Sequence, residues 1–136
     1  MTTIEQFRND MESSYISAFR RRDVRECRKK LFDDVWSLVL DDEQWSGLVN
    51  IIEQDDSYNA CHVIEYVVSP TLHTPGLDSV IHSRFLTVFV ALSWKLGAPL
   101  DDVLADATKA VLLDQNNIVA RKLLVDIIKD FDEENK

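Results

Sequence analysis

Glycine and proline are scarce, at three residues each among 136. A turn-rich all-β fold needs more of both, so their scarcity points to helices joined by short polar turns. Only two cysteines occur, Cys27 and Cys61, which excludes a disulfide framework and fits free thiols in a reducing compartment. Uninterrupted apolar runs are short. The densest, Phe85 to Leu96, follows His82 and Arg84 and is closed by Lys95 and Gly97, so it cannot span a bilayer. The opening Met1–Gln6 lacks the basic start and apolar core of a secretory signal. The expectation is a soluble, cytoplasmic protein.

Catalytic signatures are also missing. Gly47, Gly76 and Gly97 stand alone, so there is no phosphate-cradling loop, and no G-x-S-x-G elbow occurs. The soft metal ligands are Cys61, His62, His73 and His82. None falls at C-x2-C or H-x3-H spacing, and two adjacent helical residues point about 100° apart, too divergent for one ion. The doublets Asp33-Asp34, Asp55-Asp56 and Asp101-Asp102 fall at expected helix ends or turns, where carboxylates cap or complement the dipole. No E-x-x-H pair supports a di-iron site. No metal, no cofactor and no catalytic residue is expected.

What is present reads as helix. Residues 1–131 form one expected helical domain, followed by a frayed polar tail over 132–136. Thr3 with Gln6 forms a capping box for a first helix carrying Ile4, Phe7, Met11, Tyr15, Ala18 and Phe19 on one face, ended by Arg20–Arg22. Asp23 suits the cap of a second helix through Leu40. Asp42 suits the cap of a third, with Trp45, Leu48, Val49 and Ile52 on one side. Tyr58–Val68 is β-branched and could be a strand, yet a lone strand has nothing to pair with, so helix is favoured. Ser69-Pro70 should end it, and Thr71–Leu77 should be a loop. Asp78 or Ser79 starts a fifth helix to Leu96, apolar on two sides and hence central. The sixth runs from Pro99 or Leu100 to Leu113, and Asn117 caps the seventh, which ends at Phe131. The fold class is all-α, about seven helices in an irregular antiparallel stack.

One stretch carries a family pattern. Lys109-Ala110-Val111-Leu112-Leu113-Asp114-Gln115-Asn116-Asn117 resembles the end of a tetratricopeptide repeat, and the 34-residue period places that repeat near 84–117. Ala91, Trp94 and Ala110 then fall where the family wants small, aromatic and alanine residues. Thr87, Val103, Ala107 and Gln115 depart from the pattern. Together with the helix that follows, to residue 131, this resemblance implies tetratricopeptide-like or HEAT-like stacked hairpins with a concave protein-binding surface and no catalysis. Small acidic helical proteins of this size also resemble, at class level, bacterial immunity proteins that neutralise a toxin.

Charge suggests the partner. Residues 1–30 carry eight basic and five acidic side chains, a balance of +3. The remainder carries seven basic and nineteen acidic ones, a balance of −12. Such a body repels nucleic acid and bilayers and attracts a basic protein surface, for instance a toxin domain. The segment Arg20–Lys30 holds seven of the fifteen basic residues but no interleaved aromatics for stacking on bases. The expected partner-binding residues are therefore the acidic turns, Asp33, Asp34, Asp41, Asp42, Glu43, Asp55 and Asp56. Trp36 and Trp45 would be interface anchors if exposed. The competing reading is a small helical enzyme or ligand-binding protein, which would need a buried apolar pocket holding a perturbed carboxylate or histidine.

Overall fold

Thr3 does close the first helix: its hydroxyl accepts from the Gln6 amide at 3.2 Å, and the Gln6 side chain accepts from the Thr3 amide at 3.0 Å. In the computed structural model, which describes residues 2–135, this helix is a bent rod in three parts. Helix α1 (Ile4–Asp10) passes through a π-helical turn (Met11–Tyr15) into α2 (Ile16–Arg20). The turn falls on Ser13 and Ser14, poor helix formers, and Ser13 Oγ donates to the Asn9 carbonyl. Its i→i+5 pitch keeps Phe7, Met11 and Tyr15, four residues apart, on one buried line.

The rod ends on Arg22, a left-handed residue with φ 58°, and the Asp23 amide reaches back to the Ala18 carbonyl at 3.0 Å. This is a Schellman closure made without glycine. Helix α3 (Arg28–Leu40) is led in at Cys27, four residues after the expected cap at Asp23. Asp23 cannot cap it, because its carboxylate faces Arg25 at 3.6 Å instead of the backbone. Helix α4 (Ser46–Glu53) is likewise led in by Asp41, not Asp42: the Asp41 carboxylate accepts from the amides of Glu43 and Gln44.

Residues expected as helix or strand are helix: α5 spans Asn59–Thr71. Asp55 opens it by accepting from the Cys61 amide at 2.8 Å. Pro70 does not stop it. Only Thr71 follows it within the helix, the Leu72 amide still bonds the Val68 carbonyl, and the buried Thr71 hydroxyl donates to the Val67 carbonyl at 2.7 Å. Helix α6 (Ser79–Lys95) is capped by Asp78 and ends in a second Schellman closure on Gly97, with φ 82° and the Ala98 amide on the Ser93 carbonyl. Helices α7 (Leu100–Leu113) and α8 (Ile118–Glu134) follow. Helix α8 overruns the expected end at Phe131, so residues 132–134 are helical and not a frayed tail. The last tail residue, Lys136, lies outside the described residues.

The protein is thus all-α, seven helices when the bent rod counts as one, with no strand among the described residues. Helix α6 is the central post and packs against α3, α4, α5, α7 and α8. One side of it buries Thr87 and Ala91. There the small residues Ala107 and Ala110 on α7 and Ala120 on α8 are buried, and three polar side chains complete the packing. Asn117 Nδ2 donates to Ser83 Oγ at 2.9 Å and to Thr87 Oγ1 at 3.1 Å. Ser83 Oγ donates in turn to the Ala110 carbonyl at 2.7 Å. Every buried polar atom in this cluster finds a partner.

Candidate partner-binding groove

The acidic turns are largely spoken for within the protein. Asp34 is buried and accepts from Tyr15 Oη at 2.5 Å, Thr2 Oγ1 at 2.9 Å and Lys30 Nζ at 3.0 Å. Asp42 pairs with Arg84 at 2.5 Å, and the same guanidinium donates to the Val39 carbonyl and lies 5.7 Å from the Trp45 ring centre. Asp41 and Asp55 spend their carboxylates on backbone amides. Asp33, Glu43 and Asp56 are exposed, as is Asp42 despite its ion pair, and they sit on three segments: the body of α3, the α3–α4 turn and the α4–α5 turn.

The two tryptophans expected as anchors are not free surface either. Trp45 is buried. Trp36 is half-buried and packs its ring 4.8 Å from that of Phe85, inside the core.

Proton affinities in the Asp34 cluster do not suit catalysis. Burial by itself pushes the Asp34 carboxyl up, but the hydrogen bonds from Tyr15, Lys30 and Thr2 outweigh it and hold the group below its ordinary value. Burial, with the Asp34 contact, raises the Tyr15 phenol. The Asp10 contact, at 2.7 Å, raises the Lys30 ammonium. Lysine and tyrosine both hold their protons more tightly than in water, the reverse of what a general base or nucleophile requires. The cluster ties the π-helical turn to α3. Burial also pushes the Cys61 thiol up, with help from Asp55, to about 12, which makes it inert. Among the described residues no three His, Cys, Asp or Glu side chains converge as a metal site.

A different surface stands out. Lys95 Nζ donates to the Glu53 carbonyl at 2.8 Å, so the C-terminal ends of α6 and α4 lie together. Trp94 Nε1 donates to Asp130 at 3.1 Å, so the C-terminal part of α8 lies there too. Alternate helices α4, α6 and α8 therefore run the same way, and α5 and α7 return between them. Between these three helices lies an apolar groove of about 260 Å³, lined by Ile52, Glu53, Ala91, Trp94, Lys95 and Leu123. Ala91 and Leu123 are buried, and Trp94 stands half-buried as a wall.

A neighbouring depression shares Lys95 and adds Tyr58, His62 and Leu96. Tyr58 is exposed and takes a left-handed conformation, φ 62°, uncommon for a bulky residue. It can hold that turn because Asp55, three residues earlier, bonds the first turn of α5.

Sequence patterning missed this groove because Trp94 fits an apolar stripe of α6 and reads as core. The available signal was its place: one turn before Gly97, where a central helix runs out of neighbours. Comparisons with protein-family models, with curated proteins and with solved structures find no match. No helix among the described residues is long and apolar enough to cross a membrane.

Proposed function

We propose that this protein is a non-enzymatic, protein-binding helical scaffold, and that the α4–α6–α8 groove receives an apolar side chain of its partner. The observation that carries this reading is the convergence of three parallel, alternate helices on one apolar groove walled by a half-exposed tryptophan. Stacked-hairpin proteins of the tetratricopeptide kind present alternate helices to their ligands in this way, and Ala91, Trp94 and Ala110 fall on that pattern. The groove is smaller than the roughly 300–1,000 Å³ of small-molecule sites, which suits one anchoring side chain better than a substrate or cofactor. Tryptophan and tyrosine are the residues most enriched among interface anchors.

The partner chemistry follows from charge. A chain of net charge −9 steers a basic partner, and Glu53 and Asp130 stand at the rim of the groove. Neutralisation of a basic toxin domain, as immunity proteins perform, is the role within this class that the acidity favours.

The test places a photo-crosslinking amino acid at position 94, and separately at exposed Thr108 on α7, in the full chain expressed in its own cells. A discrete protein adduct at 94 that is absent at 108, and that weakens as salt rises, is the expected result. Adducts equal at both positions, or none at 94, would refute the groove. An adduct indifferent to salt would refute the basic partner.

A further inference from the structure

The turn between α2 and α3 is built against its own local preferences. Arg22 closes the rod in the left-handed region, φ 58°, where glycine is favoured and a long side chain is strained. Helix α3 then opens on Arg28, Lys29 and Lys30, with no acid in its first turn and no side-chain cap. Cations at that end oppose the helix dipole. Lys30 is compensated by Asp10 and Asp34, but Arg28 and Lys29 have no such partner.

Six exposed cations lie within these ten residues: Arg20, Arg21, Arg22, Arg25, Arg28 and Lys29. Arg25 meets Asp23 at 3.6 Å, and the other five are in no ion pair among the described residues. Glu26 is the one further acid of the turn, and Asp33, four residues beyond Lys29, is the next along α3. Helix α5 packs against both α2 and α3, and its one acid is Glu65. None of these three carboxylates is in an ion pair. An exposed turn that holds arginine where glycine fits better, and cations where acids fit better, breaks two local rules with no gain inside the fold. Such violations gather at functional surfaces.

We infer that this turn docks a short, extended acidic segment of a second protein, whose carboxylates pair with the arginine forks. The cations are spread along the turn, which matches a run of carboxylates better than one phosphate. Bases would need free ring faces, but Phe19 and Phe32 pack edge-on against Tyr66, and Arg28 lies over Phe32, so these rings are already occupied. A long polyanion or a bilayer would also extend past the turn, against a body that carries a balance of −12 beyond residue 30. A short segment stays close to the arginines, where charges farther off than about 8 Å are screened at physiological salt. Two copies of this chain, each of net charge −9, repel one another. The turn belongs to α2 and α3, and the groove to α4, α6 and α8, so the inference does not rest on the proposed groove.

The probe is a fluorescent peptide of about eight residues, mostly glutamate, which spans roughly 27 Å when extended. A second peptide carries glutamine in place of glutamate. Fluorescence anisotropy against the full chain at low salt is expected to show binding of the acidic peptide below about 100 µM and binding of the neutral one at least about tenfold weaker. Arg28→Glu with Lys29→Glu should weaken the acidic peptide at least about tenfold without lowering the thermal midpoint, because acids suit that end of α3. Arg22→Gly should weaken it about threefold and raise the midpoint, because it removes a cation and the left-handed strain together. Arg121→Glu with Lys122→Glu changes the net charge of the chain as much as the α3 reversal does, but on exposed positions of α8, and should weaken the peptide less than about twofold. Equal affinity for the two peptides, or as large a loss from the α8 reversal as from the α3 reversal, would overturn the inference. So would an Arg22→Gly chain of lower midpoint and unchanged affinity. Tighter binding of single-stranded DNA of equal charge, sedimentation with phosphatidylserine vesicles that the α3 reversal abolishes, or a concentration-dependent dimer that it breaks would each overturn the acidic segment as the occupant.

Discussion

The Tyr15 hydroxyl donates to Asp34 Oδ2 at 2.5 Å across nineteen residues of sequence, and both groups are buried. This contact fixes the π-helical turn to α3, and it makes stability depend on pH at both ends. The Asp34 carboxyl lies below its ordinary value in the folded state, so the unfolded chain binds that proton more readily. The contribution of the cluster is complete above the unfolded carboxyl value, about 3.9, and is lost as pH falls through the folded value. Tyr15 and Lys30 are raised, so their contribution is complete below about pH 10 and is lost as pH climbs beyond it. Asp34→Asn should cost about 2 kcal/mol at neutral pH by urea unfolding, the price of a buried charged acceptor. The difference from the parent should shrink below pH 4. A constant difference down to pH 2 would mean that the carboxylate charge is not what matters.

Asn117 serves two structures at once. Its carbonyl oxygen caps α8 by accepting from the Ala120 amide at 2.9 Å, and its amide nitrogen satisfies Ser83 and Thr87 on α6. Asn117→Ala should lose both roles, about 2–3 kcal/mol in denaturant unfolding. Asn117→Asp keeps the cap acceptor but loses the donor and buries a charge. Its loss should therefore be at least as large at neutral pH and should diminish in acid. A substitution to alanine costing no more than an ordinary exposed cap would show that the link to α6 adds nothing.

These two contacts also mark how far the sequence could be read. Asn117 was legible as a cap, because an Asn before an amphipathic run is a local signal. Its donation into α6 was not, because Ser83 and Thr87 are thirty or more residues away. The π-helical turn was legible only as a row at four-residue spacing. Helix types, the Gly97 stop and the central place of α6 follow from periodicity, which is local. The α3 start and the survival of α5 past Pro70 depend on what Asp23 and Thr71 touch. The environment of the expected partner-binding residues was hidden for the same reason. Acidic doublets and tryptophans are visible in one dimension, but the contacts of Asp34 with Lys30 and of Asp42 and Trp45 with Arg84 are made only by packing.

The two thiols should separate cleanly. Cys61 is fully buried and its thiol is pushed up to about 12, whereas Cys27 is half-buried in the short turn before α3. An aromatic disulfide reagent at pH 8 should titrate one thiol in the native protein and two in urea. Cys27→Ser should leave no fast thiol. Rapid reaction of both in the native state would place Cys61 in a segment that opens readily.

Gly47 is required by close approach and not by its backbone angle. A Cβ built there would lie 2.5 Å from Ile4 Cγ1 and 2.9 Å from Ile4 Cδ1. Ile4 opens α1, and its amide donates to Gln44 Oε1 at 2.9 Å, so the start of the rod is seated on the start of α4. Gly47→Ala should push Ile4 off this seat and cost about 1–2 kcal/mol, despite alanine's better helix propensity. Ile4→Ala removes the clashing atoms, so the double variant should lose less than the two single losses combined, with a coupling of at least about 0.5 kcal/mol. Gly97→Ala offers the contrast. Nothing lies within 4 Å of its Cβ, yet φ is 82°, so its cost should be backbone strain of about 1 kcal/mol. No substitution at Ile4 should relieve that strain. Strict additivity of Ile4→Ala with Gly47→Ala would mean that α1 is not held by this contact.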